Sequence, residues 1–203
     1  MNIGILASHA GTTLQAVLDA CASGELQARV SMVISNNAES GALQRARSSG
    51  VRWVHLSAKT HPDPKALDQA ICSALTEAQT EVVLLAGYMK KLGPLMLRTF
   101  AGRILNTHPA LLPKFGGPGM YGMHVHRSVL AAGERISGAT FHLVEGEYDT
   151  GPVLAQCAVP VMDGDTPETL AERVQVSERR LVVAVLSHIA QGNSILPMRS
   201  DSR

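Results

Sequence analysis

An α/β fold, a mostly parallel sheet with helices on both faces, is predicted by three features of the sequence. Short β-rich runs alternate with helix-like stretches through the first half of the chain. The run Val82-Val83-Leu84-Leu85-Ala86 is too apolar for a strand with one wet face and belongs at the centre of a covered sheet. A length of 203 residues with 45% apolar content suits one domain with one sizeable core.

The elements follow in order. Asn2 to Ala7 is the first strand. Thr12 to Ser23 is a helix, with Leu14, Val17, Leu18 and Cys21 at i, i+3, i+4, i+7 spacing and Gly24 as its stop. Val30 to Ile34 makes the second strand, Gly41 to Ser49 a helix closed by Gly50, and Arg52 to Leu56 the third strand. Pro62 and Pro64 mark a loop that feeds a helix from about Lys65 to Ala78. Glu81 to Ala86 is the buried central strand, after which Gly87 opens a loop holding Tyr88, Met89, Lys90 and Lys91. Gly102 to Leu105 is the next strand and delivers Asn106 and His108 to its carboxyl end. Phe115 to Gly122, carrying Gly116, Gly117, Gly119 and Pro118, is a specially turned loop. A helix from His124 to Ala132 precedes two strands, Gly138 to Val144 and Val153 to Val159, which flank a loop with Glu145, Glu147 and Asp149. Thr166 to Ile189 is a long closing helix, capped by Thr166 or Asp165 with Pro167 in its first turn. Residues 1–197 form a single domain and residues 198–203 a polar tail, without repeat, low-complexity tract or linker.

Charge and cysteine usage narrow the partners. A formal net charge of +1 with scattered Lys and Arg leaves no basic stripe for nucleic acid and no polybasic membrane patch, so small molecules are the expected ligands. MNIGILASHA lacks the basic and long apolar regions of a signal peptide, and no apolar run reaches membrane-spanning length. Cys21, Cys72 and Cys157 lie far apart with no C-x-x-C pair, which suits reduced thiols in a cytoplasmic protein. Monomer and homodimer both fit.

The segment Ile104 to Pro113, ILNTHPALLP, carries the strongest chemical signal. Residues i and i+2 of an extended segment point to one side, so Asn106 and His108 can converge on one reacting atom while Leu105 and Thr107 point away. Pro109 and Pro113 stiffen the exit. The same pattern also serves a plain strand end with a polar turn. In open parallel sheets this is the edge where ligands bind. The turn SHAGTT, Ser8 to Thr13, follows a strand and opens a helix, so its N–H groups and the helix dipole offer an anion site for which phosphate is the natural guest. It is neither a P-loop nor a dinucleotide fingerprint. Asp149 lies in EYDTGP, where Gly151 and Pro152 enforce a turn; it either pairs with His108, raising the imidazole pKa and holding one tautomer, or is a turn residue. His124 and His126 do not present both rings on one helix face, so no metal site is expected and packing or capping is their reading. The serines lack a G-x-S-x-G elbow and the cysteines a local signature, which leaves a nucleophilic triad unsupported.

Taken together, SHAGTTLQA, LLAGYMKKL, ILNTHPALLPKF, GMHVHRSVL, GATFHLVEGEYDTGPVLAQ and ERVQVSE resemble the phosphoribosylglycinamide formyltransferase family of folate-dependent enzymes, colinearly from Met1 to about Leu196. N-x-H-P-[SA]-L-L-P followed about forty residues later by D-x-G-P is specific to the formyltransferase superfamily. The resemblance implies a Rossmann-like formyltransferase fold. It also implies formyl transfer from 10-formyltetrahydrofolate to the amine of glycinamide ribotide in de novo purine biosynthesis, with no metal. On the same resemblance Asn106, His108 and Asp149 are the catalytic trio: Asn106 and protonated His108 stabilise the oxyanion, and Asp149 keeps His108 charged and helps relay a proton to the leaving folate nitrogen. Gly11, Thr12 and Thr13 align with the ribose-phosphate turn, and Gln175, Val176, Ser177 and Glu178 with the segment contacting the ribotide's polar groups. Met89, Lys90, Lys91 and Leu92, with Asn106, Glu145, Gly146, Glu147, Tyr148 and Asp149, align with the folate pocket.

The chain departs from the family pattern at several positions. His9 and Thr13 stand where G-x-G-[ST]-N has its first glycine and its asparagine. Lys90 replaces an arginine of the folate loop, and the arginine usual before the third helix falls on Pro64, beside Lys65. The loop Phe115 to Gly122 is longer than in compact members. A formyltetrahydrofolate deformylase would use the same trio on water but usually carries an extra amino-terminal domain, and a methionyl-tRNA formyltransferase needs a further basic domain. A sugar-nucleotide formyltransferase offers the same amine and phosphate, and a phosphoribosyl- or folate-binding module is the non-catalytic alternative.

Overall fold

The computed structural model describes residues 1–193. The end of the expected domain, 194–197, and the tail, 198–203, lie outside the described residues. In chain order the elements are β1 (Asn2–Ala7), α1 (Thr12–Ser23), β2 (Arg29–Ser35), α2 (Gly41–Ser48), β3 (Trp53–His55), α3 (Pro64–Glu77), β4 (Val82–Leu85), α4 (Pro94–Thr99), β5 (Ile104–His108), α5 (Met123–Ala131), β6 (Ile136–Leu143), β7 (Val153–Pro160) and α6 (Pro167–Ala190).

The strands form one seven-stranded sheet in the order β3-β2-β1-β4-β5-β6-β7. β1 to β5 pair in parallel, and β6 and β7 add an antiparallel hairpin on the β5 edge. β4 is buried at every position, as its unbroken apolar run requires of a strand covered on both faces. From β1 the chain winds outward through β2 to β3, then returns to β4 on the other side of β1 and winds away through β5. The loops leaving β1 and β4 therefore diverge, and a crevice opens at the carboxyl ends of these strands.

Side-chain alternation divides the core. Ile3 and Ile5 of β1, Leu84 and Leu105 pack with Leu14 and Val17 of α1 and Val182 and Leu186 of α6. Leu6, Val83, Leu85 and Ile104 face the other way, onto Ile71 and Leu75 of α3 and Met96 of α4. A third cluster joins Val125 and Val129 of α5 to Ala139, Val159, Leu170 and Val174. The helices thus lie on both faces, as the sequence predicts.

Two boundaries differ from expectation in ways that matter for the site. The stretch between β4 and β5 contains a six-residue helix, α4, to which the sequence reading assigns no element. Asp68 of α3 holds its start, accepting from Leu95 N–H at 2.8 Å and Met96 N–H at 3.1 Å. A Cβ at Gly93 would meet Asp68 Cγ at 2.1 Å, so the approach requires glycine there. Strand β5 starts two residues later than predicted, because Gly102, at φ 66°, is still turning the chain, and it runs on to His108. Asn106 and His108 consequently lie within the strand's last turn of pairing rather than beyond it. α6 begins as predicted, with Thr166 as cap, Pro167 in the first turn and a reciprocal bond to Thr169.

Candidate active site

Four polar side chains meet at the carboxyl end of β5. Antiparallel pairing of β5 with β6 sets His142 opposite Asn106 and Thr140 opposite His108. Asn106 Nδ2 and His142 Nε2 are 3.1 Å apart. His142 Nδ1 lies 2.8 Å from the Leu143 carbonyl, which can only accept, so Nδ1 carries a proton, and Nε2 stands between the Asn106 carboxamide and the Asp149 carboxylate. Asn106 also lines the cleft beside the cluster. Asp149 reaches in from the loop after β6. Its carboxylate stands 3.3 Å from His108 Nδ1 and 3.5 Å from His142 Nε2, and it accepts the Gly117 N–H at 3.0 Å. Asp149 sits at φ 56°, a left-handed conformation that aspartate tolerates better than most side chains and that here aims it at two imidazoles.

His108 is 3% exposed and both of its ring nitrogens have partners. Nε2 donates to the Phe115 carbonyl at 2.7 Å, leaving Nδ1 as the nitrogen that faces Asp149. Phe115 holds that carbonyl in place at φ 56° at the start of the glycine-rich loop, and Gly117 of the same loop is the Asp149 donor. Burial lowers the His108 pKa, and His142 adds to the lowering; the Asp149 charge and the Phe115 carbonyl push upward without overcoming it. This corrects the expectation that Asp149 raises the imidazole above its ordinary value: the pairing is present, but loss of hydration outweighs it. Asp149 is itself raised by burial, yet the His142 ring, the His108 charge and the Gly117 amide together bring its pKa below the ordinary carboxylate value.

Beside this cluster lies a cleft lined by Leu85, Tyr88, Lys90, Lys91, Leu92, Asn106, His142, Val144, Gly146, Glu147, Tyr148 and Asp149. Lys91 Nζ spans its mouth to Glu147 Oε1 at 3.2 Å and lies 6.0 Å above the Tyr148 ring. Most of the residues expected around the donor are thus brought together, but Met89 and Glu145 are not on the lining, and neither is Lys65. Met89 and Glu145 were expected there from the family resemblance. Tyr88, His142, Leu85 and Val144 line the cleft and were not expected. Burial pushes the Tyr88 hydroxyl pKa up to about 12. A separate depression lined by Met1, Asn2, Cys21 and Arg29 lies at the amino ends of β1 and β2 and contains none of these residues.

On the far side of β1, Gly11 forms the non-helical start of α1 at φ 72°, and no side chain caps the helix. A Cβ on Gly11 would fall 2.7 Å from Ala42 Cα, so the SHAGTT turn is packed directly on the start of α2. The first amide groups of α1 at Thr12 and Thr13 are therefore left for another partner. Glu178 of α6 accepts the Thr107 hydroxyl at 2.5 Å, and burial raises its pKa. Thr107 faces opposite to Asn106 and His108, so Glu178 approaches β5 from the other face; Gln175 and Val176 are exposed on α6 and Ser177 is half-buried. His126 is buried with Nδ1 unpartnered, and His124 packs edge-on against Tyr121 at 5.6 Å. Among the described residues no group of three or more His, Cys, Asp and Glu is placed to hold a metal ion.

Comparison with known proteins gives this arrangement a family. Residues 1–186 match the Formyl transferase family. The chain belongs to it. Among formyl transferases, the Mycobacterium tuberculosis phosphoribosylglycinamide formyltransferase is 45% identical over 186 residues, covering 92% of this chain and 83% of that protein. The Arabidopsis thaliana chloroplastic enzyme of the same name is 40% identical over 94% of this chain, which spans 65% of its length. The crystal structure of glycinamide ribonucleotide transformylase 1 from Symbiobacterium toebii superimposes with a TM-score of 0.89 at 38% identity, covering 98% of this chain and 92% of that one. Among the described residues no helix is long and apolar enough to cross a membrane.

Proposed function

We propose that this formyl transferase carries the formyl group of 10-formyltetrahydrofolate to the amine of glycinamide ribotide, as a cytoplasmic phosphoribosylglycinamide formyltransferase of de novo purine biosynthesis, monomeric or homodimeric. The observation that carries the reading is the Asn106, His142, Asp149 and His108 cluster at the carboxyl end of β5. The cluster borders an apolar-walled cleft suited to a flat pterin, and the uncapped start of α1 after β1 is suited to a ribotide phosphate. The relatives bearing that activity in their names are similar along nearly the whole chain.

The cluster supplies the chemistry that the transfer needs. The ribotide amine attacks the formyl carbon, forming a carbon–nitrogen bond and putting charge on the formyl oxygen. The Asn106 carboxamide, held beside the His142 ring on the cleft wall, supplies the N–H that stabilises that oxyanion. His108 rests with Nε2–H bound to Phe115 and Nδ1 facing Asp149, so the proton that the attacking amine sheds passes through the Asp149 carboxylate, which lines the cleft, onto Nδ1. The imidazolium so formed is stabilised by Asp149, which relays the proton on to the folate nitrogen as the bond from that nitrogen to carbon breaks. Products are formylglycinamide ribotide and tetrahydrofolate. Gly11, Thr12 and Thr13 hold the phosphate in this reading, Glu178 and its neighbours at 175–177 the ribotide's polar groups, and Lys90 to Leu92 with 146–148 the folate.

The test is a panel of formyl acceptors, glycinamide ribotide, an amino sugar nucleotide and water alone, each scored by folate absorbance. Turnover that depends on glycinamide ribotide is expected. Turnover with the sugar nucleotide or with water, and none with the ribotide, would assign the site to a different reaction.

A further inference from the structure

Three loops at the carboxyl edge of the sheet meet at one buried hydroxyl that the mechanism above does not use. Ser8, the first residue after β1, is 2% exposed. Its Oγ donates to Asn36 Oδ1, in the loop after β2, at 2.5 Å, and accepts the Met89 N–H, in the loop after β4, at 2.8 Å. Its own N–H bonds the Gly87 carbonyl at 3.2 Å. These contacts bridge the point where the strand order reverses, between the turn at 8–13 and the loop at 87–92.

Besides this bond, the donor loop is held by the Gly87 carbonyl and by Tyr88 and Leu92, whose side chains pack against the core. Among the described residues, the Met89 N–H is the single main-chain group of residues 88–92 that is hydrogen-bonded, and Ser8 is its partner. Asp68 anchors the chain again only at Leu95 and Met96. The other cross-link to this loop is the exposed Lys91–Glu147 pair, which binds it to the opposite wall of the cleft rather than to the sheet. Exposed pairs of this kind fix little. A buried hydroxyl that both gives and receives a hydrogen bond has one orientation, so the Asn36 acceptor aims the Ser8 lone pair at Met89.

We propose that Ser8 is a positioning residue for the two-substrate reaction: its hydroxyl sets the donor loop 87–92 at a fixed distance from the acceptor turn 8–13. The inference rests on the assignment of the cleft to the folate donor and of the turn to the ribotide phosphate. Ser8→Ala keeps the side-chain volume close to native while releasing Met89. Its expected effect is a rise of about tenfold in KM for 10-formyltetrahydrofolate, the scale of one buried hydrogen bond lost, with a much smaller change in KM for the acceptor. Asn36→Ala, at a half-buried loop position, removes the group that orients the hydroxyl and raises the donor KM in the same direction. The double variant is expected to be no worse than Ser8→Ala alone, because both act through one bond.

Steady-state kinetics of the wild type and these three variants, with thermal unfolding alongside, tests the proposal. A Ser8→Ala protein with a lowered melting temperature and an unchanged donor KM would overturn it, as would additive effects in the double variant. Should Ser8→Ala fail to fold, an unchanged donor KM in Asn36→Ala overturns it equally. Wild-type turnover with glycinamide ribotide is the control: its absence defeats the substrate reading, whereas its presence with unmoved donor KM defeats only the role of Ser8.

Discussion

Replacing Asp149 by asparagine separates the charge at this site from its shape. The carboxylate stands 3.3 Å from His108 Nδ1 and takes the Gly117 N–H at 3.0 Å, so an amide of the same size can keep the loop in place while losing the charge. A hydrogen bond to a charged partner is worth about 1.5 to 3 kcal/mol. If that interaction is fully expressed only when His108 carries the transferred proton, kcat falls by roughly 10- to 150-fold. The pH profile carries the sign. Burial already lowers the His108 pKa and Asp149 opposes that lowering, so its neutralisation moves the pKa further down. The acid limb of kcat/KM, set by the need for an unprotonated Nδ1, shifts to lower pH with it. Initial rates measured by folate absorbance from about pH 5 to 9 read both effects. An unchanged kcat, or an acid limb that moves to higher pH, would refute the role given to the pair. Stability changes in a defined direction as well: a carboxylate with a lowered folded pKa stabilises the wild type above the ordinary carboxylate range, and that advantage over the variant disappears as pH falls through the folded value.

Other perturbations follow from the same geometry. Asn106→Ala removes the oxyanion donor and is expected to cut kcat by roughly 10²–10³-fold while leaving the melting temperature nearly unchanged, as enzyme assay and calorimetry will show. His142→Ala frees the Asn106 carboxamide to rotate, so kcat falls without a matching rise in either KM. Gly11→Ala forces a side chain into a left-handed turn against Ala42 and is expected to destabilise the fold by about 1 to 3 kcal/mol in urea unfolding, with a raised KM for the ribotide. Burial also lowers His126, as it does His108, so the unfolded chain binds protons first and stability declines as pH falls below the ordinary imidazole value of 6.5; a flat dependence of unfolding free energy between about pH 7 and 5 would contradict this.

Much of the fold was written in local pattern. The apolar run at Val82–Leu85, the Thr166-Pro167 helix start and the alternation of the two core faces each follow from side-chain period and capping alone. The α4 helix was harder to read because six residues hold less than two full turns of periodicity, and its start is satisfied by Asp68 from another helix. At the site, the i, i+2 spacing of Asn106 and His108 was visible because it is a property of one strand. His142 was not, although it lies in the quoted GATFHLVEGEYDTGP segment, because only the β5–β6 register shows that it faces Asn106. β5 and β6 are joined through the glycine-rich loop and α5 rather than a tight turn, so no local spacing gives that register. The direction of the His108 pKa was missed for a related reason: sequence offers the Asp149 charge but not the depth of burial that opposes it. Ser8 is similar, since its partners come from loops 28 and 81 residues away.

Donor labelled isotopically in its formyl group, incubated with this protein and glycinamide ribotide, tests the central claim most directly. Formyl transfer across the Asn106, His108 and Asp149 cluster predicts that mass spectrometry finds the label on the ribotide amine in proportion to the tetrahydrofolate formed. Label recovered as free formate, with the ribotide unmodified, would contradict it.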